Sequence, residues 1–567
     1  MDLSRPSDIP GAVLAKALLK GARRQVEQEW FGSAPHRLLL SRPRPEGLAA
    51  NPRDLRPADA EQGRQLVAGG FVLAGAAMRI GADGDPWDRP SPTRRFAIAL
   101  HRFGWMPDLL TAGDEGARQG LRLAMDWRRV FGRWNAFAWS GEVLERRVFN
   151  LACAARRLTA RASEIESAAI TGDLARQARH LLRISDDPAR AVERAVAAGV
   201  AGCALAGGVG ETLIDRALER LRRQLPRAVM PDGGHASRSP QAGLELLFDL
   251  LTLDDALLQR GQAGPEEIGR AIDRLTDAAR FFTLADGRLA AFQGGEAADA
   301  AYVAAALAHD DGTRRAANGL PHARYQKIEG HGLQIIADAG APAEGRWSTA
   351  ACAQPLAIEV LFGRDRLITN GAWSPDAAGP AALRLTDAAS TASLGDLSCG
   401  VPLRGMRARA LGPRLVQGPA RADARRHDAE AGVWLEMSHD GWLRRFSLIH
   451  ERRLFLDRAS GELRGEDAFR PEVATEEDGP RRYAPFTVRF HLHPDARASL
   501  ARDRKSVLIR GPHEGVWLRN DAVEVSVEPS VHYLHGEPRR TTQVVLRGQV
   551  RLDKGGRVRW KLSAAES

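Results

Sequence analysis

The hydrophobic positions change period part-way along the chain. Up to about residue 320 they recur at steps of three and four, the spacing of one helix face; beyond it they alternate with polar residues, as in half-buried strands. In EVLERRVFNLACAARRL, Leu144, Val148, Leu151, Ala155 and Leu158 fall on one face. In GPEEIGRAIDRLTDAARFF, Pro265 stands where a first-turn proline belongs. Glu266 and Glu267 suit the positive end of the helix dipole there, and Ile268, Ile272, Leu275 and Ala279 form the apolar stripe. Similar segments occur near 62–79, 94–112, 116–131, 165–183, 188–206, 209–224, 241–259 and 297–309. About ten helices with short connections predict antiparallel neighbours, in a bundle or a closed ring of hairpins.

After Tyr325 the reading is β. YQKIEGHGLQIIADAG predicts two strands around Gly330–Gly332, and PLAIEVLFGRDRLITNGA predicts a hairpin turning at Gly363–Asp365. The phrases VWLEMSHDGWLRRFSLIHERRLFLD, YAPFTVRFHLHP, SVLIRGPHEGVWLRNDAVEVSVE and TTQVVLRGQVRLDKGGRVRWKLS continue the series. Strands this frequent, joined by Gly, Asp and Pro turns, predict a large antiparallel sandwich. The fold class is thus α+β and multidomain. The expected division is a helical segment over 1–84, a helical domain over 85–318 and a β-sandwich over 319–567, meeting around Ala316–Tyr325. A chain of 567 residues is long enough for two or three domains.

Composition narrows the classes. With 44% hydrophobic and 27% charged residues the chain reads as globular, and no apolar run approaches the ~20 residues of a membrane helix. The N-terminus has an amphipathic stretch (Val13, Leu14, Ala17, Leu18) but lacks the order of a secretory signal. The expected location is cytoplasmic, with the cell envelope or periplasm as the alternative. Cys153, Cys203, Cys352 and Cys399 lack CxxC spacing and read as buried thiols, neither a disulfide frame nor a zinc site. The net charge of +10 comes mostly from arginine, which favours carboxylate, sulfate or phosphate partners; a coding bias towards Arg gives the same number. The cations are interspersed with acids and no binding motif appears, so nucleic acid is not an expected partner.

One stretch raises a sharper question. PDGGHASRSP, residues 231–240, sets an imidazole and a guanidinium in a turn between two helical segments. Asp232 and Ser237 suffice as caps for a helix starting near Pro240, with His235 merely exposed. Alternatively Gly233 and Gly234 let backbone approach a ligand that Arg238 clamps. His101, Arg102 and Trp105 in ALHRFGW form a second cluster, in which an indole can stack under a sugar ring or simply belong to the core. Tyrosine is scarce: Tyr302 reads as packing, whereas Tyr325 stands at the expected junction after His322 and Arg324, or is the first inward residue of the sandwich. His439, His450, His491 and His493 lie on β phrases, the last two on one face of their strand. No metal site is assigned, because no third ligand is placed.

These phrases in their order resemble the heparinase II/III-like family of polysaccharide lyases, in its bacterial branch. The resemblance rests on DPWD…SPTRRF…ALHRFGWMPDLL (85–110), PDGGHASRSP, DGRLAAFQGG (286–295), LPHARYQKIEG (320–330), ADAGAP (337–342), SHDGW (438–442), LIHERRLFLD (448–457), GELRGED (461–467) and VRFHLHP (488–494). It implies an incomplete α/α toroid followed by a β-sandwich, acting on an acidic, uronate-containing polysaccharide by β-elimination. That chemistry needs a neutralised carboxylate, a base for the C5 proton and an acid for the leaving oxygen. On this reading His235 and Tyr325 are the catalytic candidates, and Arg238, His101, Trp105 and His439 the substrate-binding ones, with no cofactor. Oligomeric state is open.

Departures from the family pattern bear on that activity. Where the family places histidines linked with catalysis and metal binding, this chain has Cys352 in AACAQPLAIE and Ala389 in RLTDAAST. Asn370, in TNGAW, replaces a metal-binding Asp, and Gln241-Ala242-Gly243 follows SRSP where some lyases carry Tyr-His. The metal site is therefore expected to be missing. The alternative to a lyase is a non-catalytic carbohydrate-binding or envelope-assembly factor on a lyase scaffold.

Overall fold

The computed structural model describes residues 11–184, 188–310, 312, 317–377, 379–473 and 482–565. The expected junction at Ala316 lies outside these residues, as do the side chains of Leu14 and Ala17. The chain forms two compact units, one holding Pro10–Val229 and Leu244–Leu275, the other Met230–Gly243 and Thr276–Ser567. The division follows neither 84/85 nor 318/319. Period alone does not reveal that PDGGHASRSP and the stretch after Thr276 pack with the sheets.

Within the first unit the helix Gly141–Thr159 packs on Glu164–Leu181 and on Ala191–Ala204, which in turn packs on Gly208–Ala228. Its apolar stripe is buried as the periodicity predicts, but so are Glu145, Arg147 and Asn150 on other faces. A helix surrounded by neighbours must satisfy such groups internally: Glu145 pairs with Arg190, and Arg147 donates to Gln177 Oε1 at 2.7 Å. Two expected helices are broken. The span 62–79 is a helix, Ala60–Val67, followed by a hairpin of β1 (Gly70–Leu73) and β2 (Ala76–Arg79). Gly69 stands between them at φ +77, and a Cβ there would lie 2.0 Å from the Gly81 carbonyl oxygen. The span 94–112 divides into Arg94–His101 and Met106–Leu110 about Phe103, whose φ is +58.

The second unit contains the strands β3 (Gly319–Leu320), β4 (Tyr325–Gly330), β5 (Leu333–Asp338), β6 (Ile358–Phe362), β7 (Asp365–Thr369), β8 (Ala392–Leu394), β9 (Val401–Pro402) and β10 (Leu415–Val416). After these come β11 (Ala422–Asp428), β12 (Gly432–His439), β13 (Leu448–Asp457), β14 (Leu463–Pro471), β15 (Tyr483–Leu492), β16 (Arg497–Leu500), β17 (Val507–Arg510), β18 (Gly515–Asn520), β19 (Glu524–Leu534), β20 (Glu537–Arg551) and β21 (Gly556–Ala564). Two large antiparallel sheets and the small separate pair β9–β10 result. One runs β11-β12-β13-β14-β21-β18-β17-β16; the other runs β19-β20-β15-β7-β6-β5-β4-β3, with β8 paired to β15. The hairpins β4–β5 and β6–β7 turn where Gly330–Gly332 and Gly363–Asp365 predict. Between the sheets lies one apolar core built from both, including Ile335, Ile358, Val488, Leu454, Leu518 and Leu562.

A polar cluster crosses that core. The Asp467 carboxylate on β14 accepts from Arg452 Nε (2.8 Å) and Nη2 (3.1 Å), His450 Nε2 (2.8 Å) and Trp560 Nε1 (2.9 Å). Arg452 Nη1 reaches the opposite sheet's flanking loops, donating to the Leu356 and Ser390 carbonyls at 2.8 Å each. Arg452 is the largest cause holding the Asp467 carboxyl well below the usual carboxylate range, against the opposing effect of burial. Removing the carboxylate strands a buried guanidinium. Asp467→Ala is therefore expected to lower unfolding free energy by about 3–5 kcal/mol, and Trp560→Phe, losing one donor, by about 1 kcal/mol beyond its packing change; chemical denaturation checks both.

Candidate functional site

PDGGHASRSP is held at both ends by its own carboxylate and guanidinium. Asp232 Oδ2 accepts from the backbone N–H groups of His322 (2.6 Å) and Ala323 (2.8 Å), so this side chain secures the chain entering β4 and does not cap the following helix. Ser239 takes the capping role, its Oγ accepting from Ala242 N–H at 3.4 Å. Gly234 sits so close to Ala323 that an added Cβ would lie 2.3 Å from the Ala323 methyl carbon. Close approach, anticipated for a ligand, is made to the protein's own Ala323 side chain.

Arg238 is the centre of the arrangement. At φ +62 and 5% exposed, its guanidinium donates to the carbonyls of Ala323 (2.9 Å), Ala341 (2.8 Å) and Arg324 (3.3 Å) and to Asp338 Oδ1. The other Asp338 oxygen accepts from Gln293 Nε2 at 2.7 Å, while Gln293 Oε1 accepts from Cys352 N–H at 3.2 Å. Tyr325 is fully buried, lies face-on to the guanidinium at 4.8 Å and donates its hydroxyl proton to the Arg238 carbonyl at 2.8 Å. Burial, assisted by the Asp338 charge, pushes the phenol well above its ordinary range. These positions correct two expectations. Arg238 clamps an internal carboxylate instead of a substrate's, and Tyr325 is a packing and positioning group without access to solvent.

His235 is 7% exposed, with its ring 5.5 Å from that of Trp347 in a T-shaped contact. Its Nδ1 accepts from Ser237 N–H at 3.2 Å and contacts Ser237 Oγ at 2.7 Å, which assigns its ring proton to Nε2. The structure thus brings His235, Arg238 and Tyr325 into one region of the second unit, with all three buried.

A neighbouring group escaped the sequence reading. Glu296, in QGGEAAD, is 7% exposed; Oε1 accepts from Ser374 Oγ (2.6 Å), Oε2 from Gly536 N–H (2.7 Å), and its own N–H donates to Gln241 Oε1 (2.9 Å). Burial pushes its carboxyl above the ordinary value. The only signal in the sequence was an acid inside a Gly- and Ala-rich turn, which carries no recognisable spacing.

The positions tied to a metal by resemblance do not suit one. Cys352 is buried, its thiol pushed up to about 11 chiefly by burial. Asn370 accepts from Ser390 N–H at 3.0 Å and directs Nδ2 to the Ala291 carbonyl at 3.5 Å, and Ala389 supplies no donor. Among the described residues no three His, Cys, Asp or Glu side chains group as a ligand set. His491 is engaged by Ser530 Oγ (2.7 Å) and the Asp387 carbonyl (3.0 Å), and His493 packs near His532 at 5.5 Å between ring centres.

The remaining sugar-binding candidates are core residues. His101 accepts from Trp127 Nε1 at 3.0 Å amid Trp87, Phe131 and Phe137, and Trp105 is 1% exposed with its indole N–H on the Leu100 carbonyl at 3.0 Å. His439 accepts from Gly441 N–H (3.0 Å) on Nδ1 and donates from Nε2 to His450 Nδ1 (3.1 Å), which hands on to Asp467. It is 2% exposed and belongs to the sandwich core. In each case a polar atom that suggested recognition is satisfied internally.

A helical region followed by paired antiparallel sheets, with this loop packed in the sheet-bearing unit, defines the toroid-plus-sandwich class of fold. The family model "Heparinase II/III-like, C-terminal" matches residues 312–561. The chain belongs to the heparinase II/III-like family. It is 58% identical to FtsZ-localized protein C of Caulobacter vibrioides, across 100% of this chain and 99% of that protein. Among solved structures, heparinase III shares the fold with a TM-score of 0.68 at 13% identity, covering 94% of this chain and 89% of that one. Heparan sulfate lyase HepC from Pedobacter heparinus gives 0.55 at 14%, covering 94% and 87%.

Two measurements test the site's internal logic. Arg238→Ala leaves Asp338 buried and unpaired, so a loss of about 3–5 kcal/mol is expected in chemical denaturation, against about 1 kcal/mol for Tyr325→Phe. Burial also lowers His101, His180 and His532 to about 3 and His491 and His493 to about 4. Each is neutral when folded and takes up a proton on unfolding once pH falls below about 6.5, so stability present above that value is lost towards pH 4. Thermal melting between pH 7.5 and 4.5 should fall in that window, with each histidine contributing up to about 1.4 kcal/mol per pH unit.

Proposed function

We propose that this chain is a non-catalytic carbohydrate-recognition and envelope-assembly factor on a heparinase scaffold, working in company with FtsZ. The observation that carries the reading is the state of the would-be chemistry. Tyr325 and Arg238, the acid–base and carboxylate-clamping candidates, are buried and bonded to the protein itself. Ala242, Gly243 and Ala389 can neither move a proton nor stabilise the enediolate-like charge of β-elimination. A scaffold whose proton-transfer positions are replaced or bonded internally supports a role without turnover. The name of the 58% identical relative supports a place beside FtsZ. The expected cytoplasmic location is part of the same proposal. No helix among the described residues is long and apolar enough to cross a membrane.

The fold alone favours the second reading, β-elimination of an acidic polysaccharide with His235 as the proton-transfer group. Absorbance of unsaturated uronate product separates the two. On pectate, hyaluronan, chondroitin and heparan sulfates the expected rate equals buffer, and equals that of His235→Ala; a product rate abolished by His235→Ala establishes the lyase instead. A fluorescent fusion is expected to follow FtsZ to mid-cell and to disperse when FtsZ is depleted, and a pattern indifferent to FtsZ overturns that part of the proposal.

A further inference from the structure

Alternation along the strands of the eight-stranded sheet sends the core residues one way and an unusual set the other. Register places Trp434, Phe455, Arg464, Lys561 and Arg519 side by side across β12, β13, β14, β21 and β18. A second outward row carries Arg453, Glu466 and Arg559. With strands about 4.8 Å apart, these side chains line a groove of about 560 Å³ on the outer face of the sheet. Its aromatic end is a stacked pair: the Trp434 and Phe455 rings lie 4.3 Å apart at 29°, with Trp434 still 43% exposed. The Arg464 guanidinium covers the Phe455 ring at 5.8 Å.

The charge on the walls is uneven. Five cationic side chains line the groove against the two carboxylates Glu466 and Asp521. Arg464 and Lys561 share Glu462 at 2.8 and 2.6 Å, and Arg559 pairs with Glu466 at 2.9 Å. Arg519 lies over the Trp517 ring at 5.8 Å and donates to Ser563 Oγ at 3.3 Å, forming no ion pair among the described residues. The groove therefore offers a flat apolar platform, cations most of which share carboxylates, Arg519 as one outside those pairs, and the acceptors Glu466 and Asp521 beside the donors.

We propose that this outer-face groove is a binding site for an acidic saccharide, with one sugar ring stacked on Trp434 and its carboxylate or sulfate held by Arg519 and Lys561. A pyranose presents an apolar face and a rim of hydroxyls that need both donors and acceptors, which this lining supplies. The face of a sheet offers a peptide no backbone ladder to extend. The site is separate from PDGGHASRSP, and rests on the proposed glycan-recognition function only for its class of ligand.

Saturation-transfer NMR and calorimetry on the full chain test the proposal, with acidic tetrasaccharides from pectate, hyaluronan, chondroitin sulfate and heparin, the methyl-esterified pectate tetramer, and a Glu/Tyr copolymer peptide. At least one acidic tetrasaccharide is expected to bind with Kd of about 1 mM or tighter. Trp434→Ala and Arg519→Glu should each weaken it by about tenfold or more, without altering the melting temperature, and loss of charge by esterification should weaken the pectate tetramer. Saccharide binding that survives both substitutions overturns this site while leaving glycan recognition standing. Tighter binding of the copolymer makes the groove a peptide site, and no saccharide binding at about 10 mM removes both this site and the glycan part of the proposed function.

Discussion

The Asp338 carboxylate is the constraint on which the candidate site depends. It ends β5 and is fully buried, so both of its oxygens must be satisfied from within. Arg238 takes one and Gln293 the other, and each partner carries a further segment with it. Through Arg238 the loop 231–240 is tied to the carbonyls at 323, 324 and 341; through Gln293 the turn before Glu296 is tied to the backbone at Cys352. Four stretches remote in sequence thus share one buried charge pair. A guanidinium buried in this way, its charge paired with Asp338 and most of its N–H groups spent on carbonyls, is poorly placed to take a substrate carboxylate, so the interaction that builds the region also removes its clearest catalytic reagent.

The same physics recurs across the sandwich. Asp467 gathers Arg452, His450 and Trp560, and Arg452 extends to carbonyls flanking the facing sheet. A buried ion pair of this kind is a poor source of net stability compared with well-packed apolar residues, but it penalises any alternative packing that separates its members. Histidine follows suit. His439 and His450 have defined tautomers in a chain ending on Asp467, and burial keeps both below their ordinary range. Imidazoles held neutral and directionally bonded act as polar packing groups, which is why a histidine-rich β half does not make a proton-transfer centre.

Architecture was legible in the sequence to the extent that one period governs a whole element. The hairpins of β4–β5 and β6–β7 and the stripe of Gly141–Thr159 follow directly from alternation and from three–four spacing. The reading failed where one residue's backbone decides the outcome: Gly69 against the Gly81 carbonyl converts half of an expected helix into a hairpin, and Phe103 at positive φ breaks another. Site chemistry was less legible for a different reason. His101, Trp105, Arg238, Tyr325 and His439 were marked by residue type, but type does not disclose the partner. Trp127, Leu100, Asp338, the Arg238 carbonyl and His450 are those partners, each brought near by tertiary packing. Glu296 was missed because its role depends on Gln241, Ser374 and Gly536, none close to it in sequence.

What remains available for recognition follows from this accounting of donors. In the second unit the inward-facing polar groups around Asp338 and Asp467 are bonded to one another and to backbone. Because strand side chains alternate, each inward residue has outward neighbours, and on β12, β13, β14 and β21 those neighbours are Trp434, Phe455, Arg464 and Lys561. Their pairing is different in kind: exposed cations sharing a few carboxylates in high dielectric are held weakly and exchange partners readily. An anionic ligand therefore displaces little when it binds there, whereas at Arg238 it would have to break a desolvated ion pair and three carbonyl contacts. On this energetic ground the outer sheet face, and not the guanidinium in PDGGHASRSP, is the better place to propose for an acidic partner.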